Sequence, residues 1–105
     1  MIAAKIPDVA ARVADALSRD LVRFSDHAVQ RMDERLYEFG LDALDVLRIL
    51  KKGRREEEKD EWDSQRSEWN YAFRGRTIDS TDLRVSVALK PNGVLVITVV
   101  NLDLR

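Results

Sequence analysis

The chain has 105 residues, of which 45% are hydrophobic and 35% charged, and its formal net charge at pH 7 is −1. This length suits about one soluble domain that buries roughly two thirds of its unfolded surface. The absence of cysteine excludes disulfides and thiolate metal sites, and the single histidine, His27, argues against a zinc site. We therefore expect one domain over residues 1–105 that needs no metal or other cofactor.

Targeting signals are not evident in the sequence. Residues Met1–Lys5 are too short and too mixed in polarity for a secretory signal peptide, and no apolar run approaches the roughly 20 residues that span a bilayer. The expected location is therefore the cytoplasm, without membrane association. The net charge near zero argues mildly against a nucleic-acid binder, but it leaves room for a local cationic patch.

Helical periodicity dominates the first half of the chain. Pro7 suits the first turn of an amphipathic helix over about residues 7–20. Ser25 is a good N-cap for a second helix, which Gly40 would end. A third helix, predicted over Asp42–Lys52, is apolar around much of its circumference, so we expect it to be well buried.

The second half of the chain changes to a period of two residues. Residues 69–73 and 83–90 alternate between apolar and polar side chains, which predicts two half-buried strands. The apolar run 94–100 predicts a central strand buried on both faces, and the charged segment 55–63 fits either an edge strand or a solvated loop. Helices followed by antiparallel strands predict an α+β fold.

Alternation also predicts a cationic face on the sheet. If the aromatic residues of 69–73 face the helices, then Arg74, Arg84 and Lys90 share the opposite face. Such a face could hold an RNA backbone, because arginine donates paired hydrogen bonds to phosphate. The alternative is that a solvated sheet face is simply polar, and the strand pattern taken alone favours that interpretation.

The only histidine begins a cationic stripe. His27, Arg31 and Arg35 follow each other at four-residue spacing and therefore share one helix face. His27 could act as a general acid or base, and Arg31 could stabilise negative charge on a reacting phosphate. Alternatively, the stripe is a structural, solvated face whose arginines pair with nearby acids. Because it borders the apolar positions of its helix, the stripe could also meet the sheet.

The string F-S-x-H-A-x-x-R-M-x-x-R at Phe24–Arg35, an apolar helix and then strands rich in valine and isoleucine together resemble a bacterial family. It is a domain-of-unknown-function family that is similar to the RelE- and MqsR-like toxins of toxin–antitoxin systems. The resemblance covers residues 23–100 and leaves the helix at 7–20 outside. It implies a RelE/barnase-like fold, with helices packed on one side of a small antiparallel sheet.

The resemblance further implies a metal-independent endoribonuclease, in which the ribose 2′-hydroxyl attacks the adjacent phosphate. RNA and a cognate antitoxin protein would then be the partners. The matched helix supplies three candidate catalytic residues, and strand geometry alone supplies the others. The candidate catalytic residues are His27, Arg31, Arg35 and Arg74, and the candidate RNA-binding residues are Arg84, Lys90 and Arg76. The alternative function is a non-catalytic protein-interaction or RNA-binding domain on the same fold.

Overall fold

The computed structural model describes residues 1–39 and 43–103, and it describes the side chains of all of these except residues 33–39. The elements in chain order are α1 (Val9–Ser18), β1 (Val22–Phe24), α2 (Asp26–Phe39), α3 (Ala43–Lys52), β2 (Arg54–Arg55), a 3-10 helix (Glu57–Lys59), β3 (Glu61–Asp63), β4 (Glu68–Arg76), β5 (Asp82–Lys90) and β6 (Gly93–Asn101). Helices packed on a mostly antiparallel sheet confirm the predicted α+β class. No helix in the described ranges is long and apolar enough to cross a membrane.

The sheet has the strand order β1-β6-β5-β4-β2, with β3 paired to a second stretch of β4. All pairs are antiparallel except β1 with β6, where Val22 lies opposite Val94. The sequence did not predict β1, because three residues are too few to show alternation. The segment 55–63 combines the two predicted alternatives, an edge strand and a solvated loop. Two short edge strands flank a 3-10 helix whose residues are exposed.

The hydrophobic core lies between the helices and one face of the sheet. Tyr71 and Phe73 are 1% and 2% exposed and face this core, as their alternation predicts. Trp69 is half-buried against the core, and its indole N–H donates to the carbonyl of Ala3 at 2.7 Å. The remaining buried members come from all three helices and the central strands.

Two predictions of burial are wrong. On α3, Leu44 is 73% exposed, because the helix packs only one side against α1 and the sheet. On β6, full burial alternates with partial burial, because the helices cover one face of the sheet only. The first helix begins at Val9, two residues after the predicted start at Pro7. The predicted helix boundaries at 40 and 42 lie outside the described residues.

The start of α2 is held by the predicted cap. The backbone N–H of Ala28 donates to the Ser25 hydroxyl oxygen at 3.0 Å, which satisfies one of the unpaired donors of the first turn. The Ser25 hydroxyl in turn donates to the carbonyl of Ile97 at 3.1 Å. Ile97 is the extra residue of a bulge in β6, so this bond ties the helix bearing His27 to the bulge.

Candidate functional site

Three arginines lie in one row on the face of the sheet that points away from the helices. Arg54 is opposite Arg74, and Arg74 is opposite Arg84, on β2, β4 and β5. Like charges at neighbouring positions repel, so a stable row needs carboxylates between them. Glu56, which directly follows β2, supplies one: its two oxygens accept hydrogen bonds from Arg74 and from Arg84.

Asp82 completes this ionic cluster, which we define as Glu56, Arg74, Arg84 and Asp82. Arg74 donates from Nε and Nη2 to the two oxygens of Asp82, at 3.1 and 2.7 Å. Such a paired contact holds the guanidinium plane in one orientation. Arg74 is therefore fixed from two sides, while its side chain stays 31% exposed.

The carboxylates of the ionic cluster are ionised at neutral pH. Burial raises the pKa of Glu56, but hydrogen bonds from Arg84 and Arg74 outweigh burial and lower that pKa overall. The hydrogen bond from Arg74 lowers the pKa of Asp82, and the charges of Arg76 and Arg54 lower it further. Because Glu56 is only 2% exposed and both its oxygens accept bonds from arginine, its chemical role is to position Arg74 and Arg84.

An open cleft of about 420 Å³ lies beside the ionic cluster, where α3 ends against β2 and β4. We call it the cationic cleft, and its lining residues are Lys52, Gly53, Arg54, Arg74, Gly75, Arg76 and Asp82. Asp82, the one carboxylate among its described lining residues, is already paired with Arg74. Lys52, Arg54 and Arg76 are exposed and form no ion pair with any residue that the structure describes. The cleft therefore carries a surplus of positive charge.

Two glycines form the floor of the cationic cleft. A Cβ atom on Gly53 would lie 2.6 Å from the carbonyl oxygen of Arg74, and one on Gly75 would lie 3.3 Å from the Cα of Gly53. The end of α3 can therefore pack directly on β4 only because both positions lack a side chain. As a result Lys52, at the end of α3, and Arg76, at the end of β4, line the same cleft.

The predicted catalytic residues fall in two separate places. His27 and Arg31 are exposed on α2, which packs against β6, and no hydrogen bond or ion pair between described residues joins them to Arg74. Both side chains are exposed, so this part of the stripe is not buried against the sheet. Arg35 belongs to the same helix, but its side chain lies outside the described residues.

The predicted RNA-binding residues also divide. Arg84 joins Arg74 through Glu56, as expected for two residues on one face. Lys90 lies at the far end of β5, where its ammonium group donates to both oxygens of Glu68 at 2.8 and 2.7 Å. Arg76 lines the cationic cleft. Of these cations, only Arg76 has no carboxylate partner among the described residues.

Sequence reasoning did not single out Lys52, Arg54, Glu56 or Asp82 as site residues. Lys52 lies in the last turn of α3, where a cation is favoured by the helix dipole whether or not it binds a ligand. Arg54 and Glu56 are two residues apart, a spacing that places side chains on one face of a strand. That signal is weak here because β2 has only two residues. Nothing local indicates that Glu56 reaches Arg84, 28 positions later.

A second ionic group lies at the other side of β2 and is structural. Asp60, whose side chain is 0% exposed, accepts two hydrogen bonds from Arg55 and one from the backbone N–H of Ala72. Lys5 adds an ion pair at 3.0 Å. With its oxygens occupied in this way, Asp60 fastens the N-terminal segment to the sheet.

Comparison with known proteins gives a family match. The family model described as Domain of unknown function (DUF4258) matches residues 24–101. This range contains α2, α3 and the strands β2–β6, and it excludes α1. No curated protein and no solved structure matches the chain at a significant level.

Proposed function

The chain belongs to the DUF4258 family, and we propose that it binds RNA by holding the phosphodiester backbone in the cationic cleft. The observation that carries this proposal is the set of three exposed cations, Lys52, Arg54 and Arg76, around one cleft. Among the described residues that line it, the only carboxylate is already paired. The proposed site of action is the cytoplasm. The similarity to RelE- and MqsR-like toxins, predicted from the helix motif, stays a prediction.

The chemistry of the cationic cleft suits phosphate oxygens. Guanidinium groups present paired donors that match a phosphate, and a flexible lysine adds a point charge. Arg74 is held in place by Glu56 and Asp82 before any ligand arrives, so less side-chain entropy is lost on binding. The cleft is open to solvent, which fits an extended backbone.

The charged lining of the cationic cleft favours contacts to phosphate over stacking on bases. None of the lining residues that the structure describes is aromatic, so they offer no ring on which a base could stack. Contacts to phosphate position a nucleic acid without specifying its sequence. We therefore expect binding that depends strongly on salt and weakly on sequence.

Titration of a fluorescent single-stranded oligouridylate, followed by anisotropy, tests this proposal. Arg54→Ala and Arg76→Ala should each weaken binding about five- to tenfold and should each lower the slope of log affinity against log salt by about one phosphate contact. Arg66→Ala is the matched control, because Arg66 is exposed outside the cleft and forms no ion pair with a described residue. Equal weakening by Arg66→Ala, or no salt-dependent binding by the wild type, would refute the cationic cleft as the binding site.

Endoribonuclease activity is a second candidate function, favoured by the exposure of His27 and Arg31 one helical turn apart. In this proposal His27 takes the proton of the ribose 2′-hydroxyl, whose oxygen attacks the adjacent phosphorus. The O2′–P bond forms, the P–O5′ bond breaks, and the departing 5′ oxygen takes a proton from water. Arg31 stabilises the charge that develops on the phosphate. A cognate antitoxin would be the protein partner.

Expression in bacteria tests this second candidate. Wild-type protein should arrest growth and yield RNA fragments ending in 2′,3′-cyclic phosphate, and His27→Ala should lower cleavage at least a hundredfold. Val29→Ala, on the same turn of α2, is the control and should remain active, because Val29 is exposed and lacks a proton-transfer group. If the wild type leaves RNA intact while the oligouridylate still binds, the domain is an RNA-binding module without catalysis.

A further inference from the structure

A second concave surface lies between α1 and α3. It is a groove of about 500 Å³ whose apolar lining comes from Ala14 and Leu17 on one helix and from Leu44 and Leu47 on the other. Leu44 is 73% exposed, whereas Leu17 and Leu47 are half-buried. A concave surface lined by a cluster of partly exposed apolar side chains marks an interaction site. We refer to this surface as the α1–α3 groove.

One side of the α1–α3 groove is strongly cationic. Arg48, Lys51 and Lys52 line it along the C-terminal half of α3. All three are exposed, and none forms an ion pair with a residue in the described parts of the chain. A groove with an apolar floor and a positively charged rim is complementary to a partner that carries apolar residues and negative charge.

Half of the α1–α3 groove lies outside the family match. The family model covers residues 24–101, whereas Ala14 and Leu17 belong to α1. The segment before α1 is fastened to the sheet by Lys5, which pairs with Asp60, and by Ile6, whose N–H donates to the Tyr71 hydroxyl at 2.8 Å. The groove therefore needs residues of this chain that lie outside the matched domain.

We propose that the α1–α3 groove binds an acidic amphipathic helix of a partner protein. The partner helix would bury apolar residues at three- and four-residue spacing against Leu44, Leu47 and Leu17. Its acidic residues would face Arg48, Lys51 and Lys52. The charge complementarity of the rim selects an acidic segment, and the concave shape between two helices suits a helix better than a flat lipid surface.

The same proposal links the groove to RNA binding. Lys52 lines both the α1–α3 groove and the cationic cleft. An acidic partner that engages Lys52 removes one cation from the RNA site, so the two ligands compete. This link rests on the proposed RNA-binding function, whereas the docking of the helix does not.

A synthetic amphipathic peptide with leucines at helical spacing and flanking glutamates is the probe. Calorimetric titration should show binding to the full chain that weakens with salt, and Leu44→Glu should weaken it at least tenfold. The double variant Arg48→Glu, Lys51→Glu should have an effect of similar size. Ile78→Glu is the matched control, because Ile78 is 76% exposed, lies outside the groove and should leave binding unchanged.

Three outcomes would overturn the proposal. They are absence of peptide binding, equal binding of a peptide in which lysines replace the glutamates, and loss of binding in Ile78→Glu. Attachment to vesicles containing phosphatidylserine that Leu44→Glu abolishes, with no peptide binding, would assign the groove to a membrane surface instead. Titration of oligouridylate in the presence of the peptide tests the competition. Unchanged RNA affinity would refute the shared use of Lys52, and it would leave the docking of the helix standing.

Discussion

At the scale of single residues, Glu56 organises the cationic face. Alternation along β4 and β5 placed Arg74 and Arg84 on one face correctly, because a strand has a period of two. The same pattern predicted cations available for RNA, whereas the structure pairs both with Glu56. The pattern reports which face a side chain occupies, but it carries no information on the partner that reaches it from another segment.

Substitution Glu56→Gln should lower the free energy of unfolding by about 2 kcal/mol at pH 7, because it removes a buried charge that accepts hydrogen bonds from two arginines. The pKa of Glu56 is lowered in the folded state. Its contribution is therefore fully present above the unfolded pKa and is lost as pH falls through the lower folded value. Urea titrations should show a difference between wild type and variant that shrinks below about pH 4.

Glu57→Gln is the control for this prediction, since Glu57 is exposed and its carboxylate forms no ion pair with a described residue. It should change stability by less than about 0.5 kcal/mol. A Glu56→Gln variant as stable as wild type at pH 7, or a difference that grows toward low pH, would contradict the role assigned to Glu56.

At the scale of elements, the junction of α3 with β2 and β4 creates the cationic cleft. The sequence predicted the end of α3, since basic residues and then Gly53 follow its apolar stripe. It did not predict that Gly53 would press against β4, because that contact depends on where a distant strand lies. Gly53 thus has two roles: it ends α3, and it lets the backbone of β4 pack closely against the helix end.

Gly53→Ala should lower the free energy of unfolding by about 2 kcal/mol or more, because the added methyl group would lie 2.6 Å from the carbonyl oxygen of Arg74. Gly75→Ala should cost less, about 1 kcal/mol, since its nearest neighbours lie at 3.3 Å and include the flexible side chain of Ile49. Thermal or urea unfolding of both variants measures the difference. If the two variants were equally stable, the close approach at Gly53 would not limit packing.

At the scale of the whole molecule, residues before the family match form one side of the α1–α3 groove. The N-terminal segment makes three contacts with β4. The carbonyl of Ala3 accepts a hydrogen bond from Trp69, the N–H of Ile6 donates to Tyr71, and the ammonium of Lys5 lies over the Trp69 ring. These contacts hold α1 against α3 and so create the α1–α3 groove. Lys52 then joins the groove to the cationic cleft, which places two proposed binding surfaces side by side.

The sequence by itself determined the α+β class, the three helices of the described ranges, the half-buried strands and the face that carries Arg74 and Arg84. Periodicity, caps and turn residues are local, and each reports burial or chain direction within a few positions. Only the tertiary structure decided the parallel pairing of β1, the placement of Glu56 between two arginines, the cleft over Gly53 and the α1–α3 groove. These features depend on residues far apart in the chain, such as Ala3 and Trp69, which are 66 positions apart, and a local pattern does not specify such partners.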